Sequence, residues 1–211
     1  MRLLPLLFAF LMLQQLSFCQ SDSVVFSKDL KLTDGIYMTY FDFRSNSGIT
    51  KEQLVSTINK EQLDFVGKII DQQKFSYKSN NGILSAESNT VWGFVQNGTL
   101  YINFKEDFYR VPVFGSICYL VANVTAMNAG FYDPMFGSGS TTNRTKEVRE
   151  FLINFYDGIV LEFTLQKVEE LLSRDKALYA EYMNLSRRKQ RDQIYRYLRK
   201  YNESHPVYFL K

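Results

Sequence analysis

Val91-Trp92-Gly93-Phe94-Val95-Gln96-Asn97-Gly98-Thr99-Leu100-Tyr101-Ile102-Asn103-Phe104 reads as two strands around a tight turn. Asn97-Gly98 is the dipeptide that most readily takes the two positive φ angles of a type I′ turn. After it, Leu100, Ile102 and Phe104 fall on one face of a strand and Tyr101 and Asn103 on the other, as a period of two requires. Tyr109-Arg110-Val111 runs into Pro112, where regular pairing should end. From Ile117 to Val124 both alternating sets are mainly apolar, which predicts a strand covered on both faces and makes it the candidate for the sheet's centre.

Working outward, Phe151, Ile153 and Phe155 alternate up to Tyr156-Asp157-Gly158, and Ile159, Leu161 and Phe163 alternate after it, a second hairpin. Phe75-Ser76-Tyr77 and Ile83-Leu84 flank Asn80-Asn81-Gly82 as a third. Upstream, residues 34–43 read as a strand or extended segment. Thr50-Lys51-Glu52-Gln53 fits a capping box ahead of a short helix, and Leu63–Ile70 fits a short helix or a strand. Residues 127–146 form a long loop carrying Phe131, Tyr132, Met135 and Phe136, which either make a contact patch or are buried by the loop folding back.

The last third is helical. Leu165, Val168, Leu171 and Leu172 share one face, as do Leu178, Tyr182 and Leu185. The first helix is read as Thr164–Leu172; Asp175 or Ser173 can cap the second, and Ser186 a third that runs to Tyr201. Val207-Tyr208-Phe209-Leu210 reads as a closing strand. The expected fold is therefore α+β, an antiparallel β-meander sheet of about six to eight strands packed against C-terminal α-helices.

Residues 1–19 read as an export signal. Arg2 supplies the positive start and Leu3–Leu13 an apolar run too short to span a bilayer. Leu16-Ser17-Phe18-Cys19 resembles a bacterial lipobox with Phe18 where a small residue is usual, so simple cleavage is the main reading and lipidation of Cys19 the alternative. Residues 20–32 follow as a polar leader and 33–211 as a single domain. Cys118 is then the one ordinary thiol, in an apolar strand. A net charge of +3 does not call for a nucleic-acid partner.

Chemistry is scarce. His205, the single histidine, stands before Pro206, and there is no zinc-ligand spacing, nucleophile elbow or glycine-rich phosphate loop. Asp107, Asp157 and Glu162 are carboxylates that folding could bring together, yet nothing singles out two of them. Arg110 looks confined, either paired with an acid or lining a pocket. Arg187, Arg188, Lys189, Arg191, Arg196, Arg199 and Lys200 against Asp192 make the last helix strongly basic. That face is read as solvated, opposite Ile194, Tyr197, Leu198 and Tyr201, with peripheral membrane contact as the alternative. No catalytic, cofactor-binding or metal-ligating residue is assigned, and no cofactor is expected.

Several pieces together resemble an uncharacterised group of secreted Bacteroidetes proteins. They are Asp34-Gly35-Ile36-Tyr37 with Asp42-Phe43 and Asn46, Val91-Trp92-Gly93-Phe94 with Asn97-Gly98, Arg110, Gly115-Ser116-Ile117, and Lys200-Tyr201-Asn202-Glu203-Ser204-His205-Pro206. The resemblance implies export to the periplasm or beyond and suggests that the Tyr-Asn-x-x-His-Pro ending belongs to the closing structure of the domain. The functional expectation is a non-enzymatic envelope protein that binds or supports a protein or other envelope component through its aromatic sheet or the Phe131–Phe136 loop. A carrier enclosing an apolar ligand between sheet and helices is the alternative, and an enzyme with an unrecognised site the third reading.

Overall fold

The computed structural model describes residues 23–25, 32–128 and 143–210. Among them the strands are β1 (Ser23–Val25), β2 (Gly35–Tyr37), β3 (Ile49–Thr50), β4 (Leu54–Val55), β5 (Lys74–Ser79), β6 (Gly82–Glu87) and β7 (Gly93–Gln96). Then follow β8 (Thr99–Phe104), β9 (Asp107–Arg110), β10 (Ile117–Asn128), β11 (Asn143–Asn154), β12 (Val160–Glu162) and β13 (Tyr208–Leu210). The helices are α1 (Tyr40–Arg44), α2 (Phe65–Ile70), α3 (Leu165–Leu172), α4 (Lys176–Met183) and α5 (Arg187–Ser204). The fold is α+β with antiparallel sheets.

The quoted hairpin is the middle of the largest sheet, ordered β3-β2-β7-β8-β9. Asn97 and Gly98 take φ of 52° and 69°, the type I′ pair. The Asp34 carboxylate accepts both turn N–H groups, at 3.0 Å each, and so ties β2 to the hairpin end. Both faces of this sheet are covered. Tyr37, Val95, Leu100 and Ile102 enter one core cluster, while Ile36 and Phe94 enter another beneath α2 and β5. Trp92 stacks on Phe43 at 4.8 Å between ring centroids, with Phe114, Phe155 and Phe209 edge-on to the same Phe43 ring.

One meander sheet was expected; among the described residues the ladders instead divide into four sheets. The break falls at Pro112, which has no N–H to donate. Past it the chain turns, and β9 and β10 lie side by side, joined by the Tyr109 hydroxyl donating to Asn123 O at 2.9 Å. β10 therefore sits at the edge of a three-stranded sheet, β10-β11-β12, and not at a sheet's centre. It is apolar on both faces for another reason: Cys118, Leu120, Ala122 and Val124 join the first core, while Ile117 and Tyr119 are buried with residues of α3, α4 and α5.

Local corrections have local causes. Residues 34–43 are a strand only to Tyr37, because Thr39 and Asp42 form a reciprocal capping box that starts α1. At Thr50-Gln53 half of such a box forms, Thr50 N–H donating to Gln53 Oε1 at 2.8 Å, but the chain turns into β4 and no helix follows. Leu63–Ile70 resolves as helix α2. Within the leader, Ser23–Val25 pairs with β13, and Leu32 is buried in the main core. The ends of the expected 127–146 loop instead extend β10 and β11, in register from Ile117↔Asn154 to Asn128↔Asn143. Phe131–Phe136, Cys19 and residues 1–19 lie outside the described residues.

Thr164, Asp175 and Ser186 cap α3, α4 and α5 through their side-chain oxygens. The helices meet on Val168, Leu172, Tyr182, Ile194 and Leu198, all buried. Tyr182 and Gln190 are bound reciprocally, Gln190 Nε2 donating to Tyr182 O and Tyr182 Oη to Gln190 O.

Candidate functional site

The residues singled out by sequence are mostly engaged in holding the fold. Arg110 is exposed and makes no ion pair among the described residues, so the confined reading is corrected; it ends β9 facing Tyr101 across the ladder. The arginine with a confined setting is Arg44, whose guanidinium lies 5.1 Å from the Phe155 ring centre. Asp157 accepts from Asn154 Nδ2 and Ile159 N–H within its turn, and Glu162 pairs with Arg149 at 3.2 Å. Asp107 lies apart from both, on β9, beside the Tyr109 hydroxyl.

His205 stacks on Tyr201 at 4.2 Å, its Nδ1 3.0 Å from Tyr201 O. The Cys118 thiol is buried and donates to Gly115 O, and burial pushes its pKa up to about 12. On the basic helix, Arg187 pairs with Glu169 and Lys200 with Glu181, so the neighbouring helices neutralise part of the charge run. Among the described residues no group of three or more His, Cys, Asp or Glu is placed to hold a metal ion.

What folding brings together is a different set. An open cleft of about 990 Å³ lies where α2 ends, β5 begins, β6 ends and the β8–β9 hairpin folds over. Its aromatic floor follows from strand register: Phe94 and Tyr101 are cross-strand partners, stacked at 4.7 Å and 5° from parallel, with Phe108 5.3 Å from Phe94. Around it stand Asp71, Glu87, Glu106 and Asp107, against one lysine, Lys74, which the β5–β6 register places opposite Glu87. Gln73, Asn89 and Asn123 complete the polar wall.

Two features of this wall carry local strain or an open valence. Lys105 and Glu106 take φ of 54° and 73°, a two-residue turn of the type that Asn-Gly fills easily and β-carbon-bearing residues resist. Such backbone conformations concentrate at functional sites. Ser88 is only 5% exposed, and its Oγ has no hydrogen-bond partner. Its turn is otherwise well held, since Ser88 N–H donates to Gln73 O and Asn103 Nδ2 donates to Asn89 O and Val91 O. Burial, with Asp107 alongside, raises the Tyr109 pKa, so this phenol at the cleft's far end stays neutral.

Sequence reading missed this site for two reasons. Lys105-Glu106 has no turn signature, so the β8–β9 hairpin was invisible. The four carboxylates also come from three separated segments, at Asp71, Glu87 and Glu106-Asp107, and only non-local packing makes them neighbours. Comparison with protein-family models, curated proteins and solved structures finds no match for the chain.

Proposed function

We propose that this is an exported, non-enzymatic envelope protein that binds a positively charged partner in the cleft between the β5–β6 hairpin and the β8–β9 hairpin. The observation that carries the reading is the lining itself: four carboxylates and one ammonium surround a floor of stacked aromatic rings. Carboxylates attract a cation over distance, and aromatic faces hold a guanidinium or ammonium at contact. In a chain of net charge +3 this local excess of negative charge is set against the general balance. An extended segment bearing arginine or lysine fits both the chemistry and the open shape.

The finer architecture belongs to the same proposal: consecutive strands run as meanders, and the C-terminal helices cover the β10–β11 face through Ile117, Tyr119 and Leu152. The same side chains weigh against the carrier reading, because they fill the place where an apolar ligand would lie. Calorimetric titration with an arginine-rich octapeptide and its citrulline counterpart tests the binding. The arginine peptide should bind, more weakly as salt rises, and Glu106→Gln and Asp107→Asn should each weaken it about threefold to tenfold. Equal binding of the citrulline peptide, or an unchanged affinity in the double variant, would overturn the reading.

A further inference from the structure

β6 is an edge strand of the sheet ordered β4-β5-β6, with an unbroken register from Gly82 to Glu87 and no bulge. Ile83 is 65% exposed and Leu84 42%. Its one charge is Glu87, at the end, and it contains neither lysine nor proline. Natural edges are blunted by shortness, charge, proline or cover. The other edges here follow that rule. β3 and β4 are two residues long, β1, β12 and β13 three, and β9 runs into Pro112. β10 is covered at Ile117 by the Asn202 amide, at Tyr119 by Val113 and at Asn123 by the Tyr109 hydroxyl. β6 alone among these has no such protection.

We propose that β6 pairs antiparallel with β6 of a second copy of this chain, about a twofold axis at Ser85. The two-residue turn Asn80-Asn81 makes Ser79–Gly82 the closing hydrogen-bonded pair, so Gly82, Leu84 and Ala86 face β5. Ile83, Ser85 and Glu87 then point their N–H and C=O groups away from the sheet. The 2.9 Å contact between Ser76 Oγ and Ser85 Oγ agrees with the close spacing of a non-hydrogen-bonded pair. An antiparallel ladder must match outward residues with outward residues. A twofold axis at Ser85 pairs Ser85 with itself and Ile83 with Glu87, which uses every outward group within the strand. Moving the axis to Leu84 leaves Glu87 against turn residue Asn81.

The charges agree with a second copy as occupant. The axis sends the two Glu87 carboxylates to opposite ends, each beside Lys74 of its own sheet and facing an isoleucine. On the other face Leu84 meets the partner's Ala86 and extends the apolar row begun by Tyr77. Glu87 also lines the cleft, so Ser85 and Ile83, which do not, are the positions that test the pairing by itself.

Sedimentation of the purified protein up to millimolar concentration should show a reversible dimer. Ser85→Pro removes an outward N–H and the Ser76 Oγ contact but no backbone hydrogen bond of the β5–β6 ladder, and should leave the circular dichroism unchanged but the protein monomeric. Ile83→Lys, at an exposed side chain, should do the same and decides the matter if the proline variant fails to fold. Val148→Lys, elsewhere on the surface, should keep the dimer, and Ser85→Cys should oxidise to a covalent dimer where Ser76→Cys does not. A wild type that stays monomeric throughout, or an Ile83→Lys variant that dimerises like wild type, would overturn the proposal.

Discussion

Asn202, near the end of α5, holds both backbone groups of Ile117, the first residue of β10. Its Oδ1 accepts the Ile117 N–H at 2.8 Å, and its Nδ2 donates to the Ile117 carbonyl at 2.9 Å. The amide thus stands where a neighbouring strand would, at the point where β10 has none. Gly115 makes the approach possible, since a β-carbon there would collide with the Asn202 amide. Ser116 Oγ donates to His205 O beside it, so two distant motifs close on one another.

Replacing Asn202 by Ala should destabilise the protein by about 2–4 kcal/mol, because a strand N–H and C=O lose their partners together. Asn202→Asp should be no better, since a carboxylate accepts from the N–H but cannot donate to the carbonyl. Gly115→Ala should cost about 1–3 kcal/mol through overpacking. Urea unfolding of the three variants checks these values; an Asp variant as stable as wild type would mean the carbonyl bond contributes nothing.

The strained turn at the cleft should show a trade between stability and binding. Changing Lys105-Glu106 to Asn-Gly gives both positions residues that accept positive φ, and should raise stability by about 1 kcal/mol. The same change removes a cleft carboxylate and should weaken the arginine peptide. Melting curves and titrations on one preparation read both effects, and a variant that gains stability without losing affinity would show that Glu106 does not touch the ligand.

Alkaline pH should destabilise the fold. Burial raises Cys118 from 9.0 to about 12, and burial raises Tyr40 from 10.0 to about 12 against the opposing pull of Arg44. Both groups stay protonated in the folded chain, while the unfolded chain releases their protons from about pH 9 upward. Their contribution is therefore complete below pH 9 and is lost as pH rises toward 12. Unfolding measured between pH 7 and pH 10.5 should show this decline, with a shallower start in Cys118→Ala. In the folded protein Cys118 should also resist thiol reagents at pH 8 and react after unfolding.

Phe43 is the ring on which Tyr37, Trp92, Phe114, Phe155 and Phe209 converge. Phe43→Ala should cost about 3–5 kcal/mol, and Phe41→Ala, two residues away and 65% exposed, should cost little. Thermal unfolding of the pair separates core burial from any general effect on α1.

Elements with a local cause could be read directly from the chain. Asn97-Gly98 and Gly158 mark their turns because the backbone there needs positive φ, and Thr164, Asp175 and Ser186 mark helix starts because their oxygens meet free N–H groups. Alternation at Leu100 and Ile102 carried the strand and its buried face, since side chains on a pleat repeat every two residues. The division into four sheets, the pairing of Ser23–Val25 with Tyr208–Leu210 and the edge position of β10 were not legible. Each depends on which distant backbone groups find one another, and composition is silent on that choice.

The cleft lies wholly on the second side of this divide. Phe94 and Tyr101 were visible as strand residues, but the Lys105-Glu106 turn that closes the wall is held in its conformation by the pairing of β8 with β9, against the preference of its own residues. By itself the sequence determined the Asn97-Gly98 hairpin, the start of α5 at Ser186 and the basic face of that helix, because periodicity and capping act within a few residues. Only the tertiary structure decided where four carboxylates gather and which edges stay open, because those are properties of segments that meet across the fold.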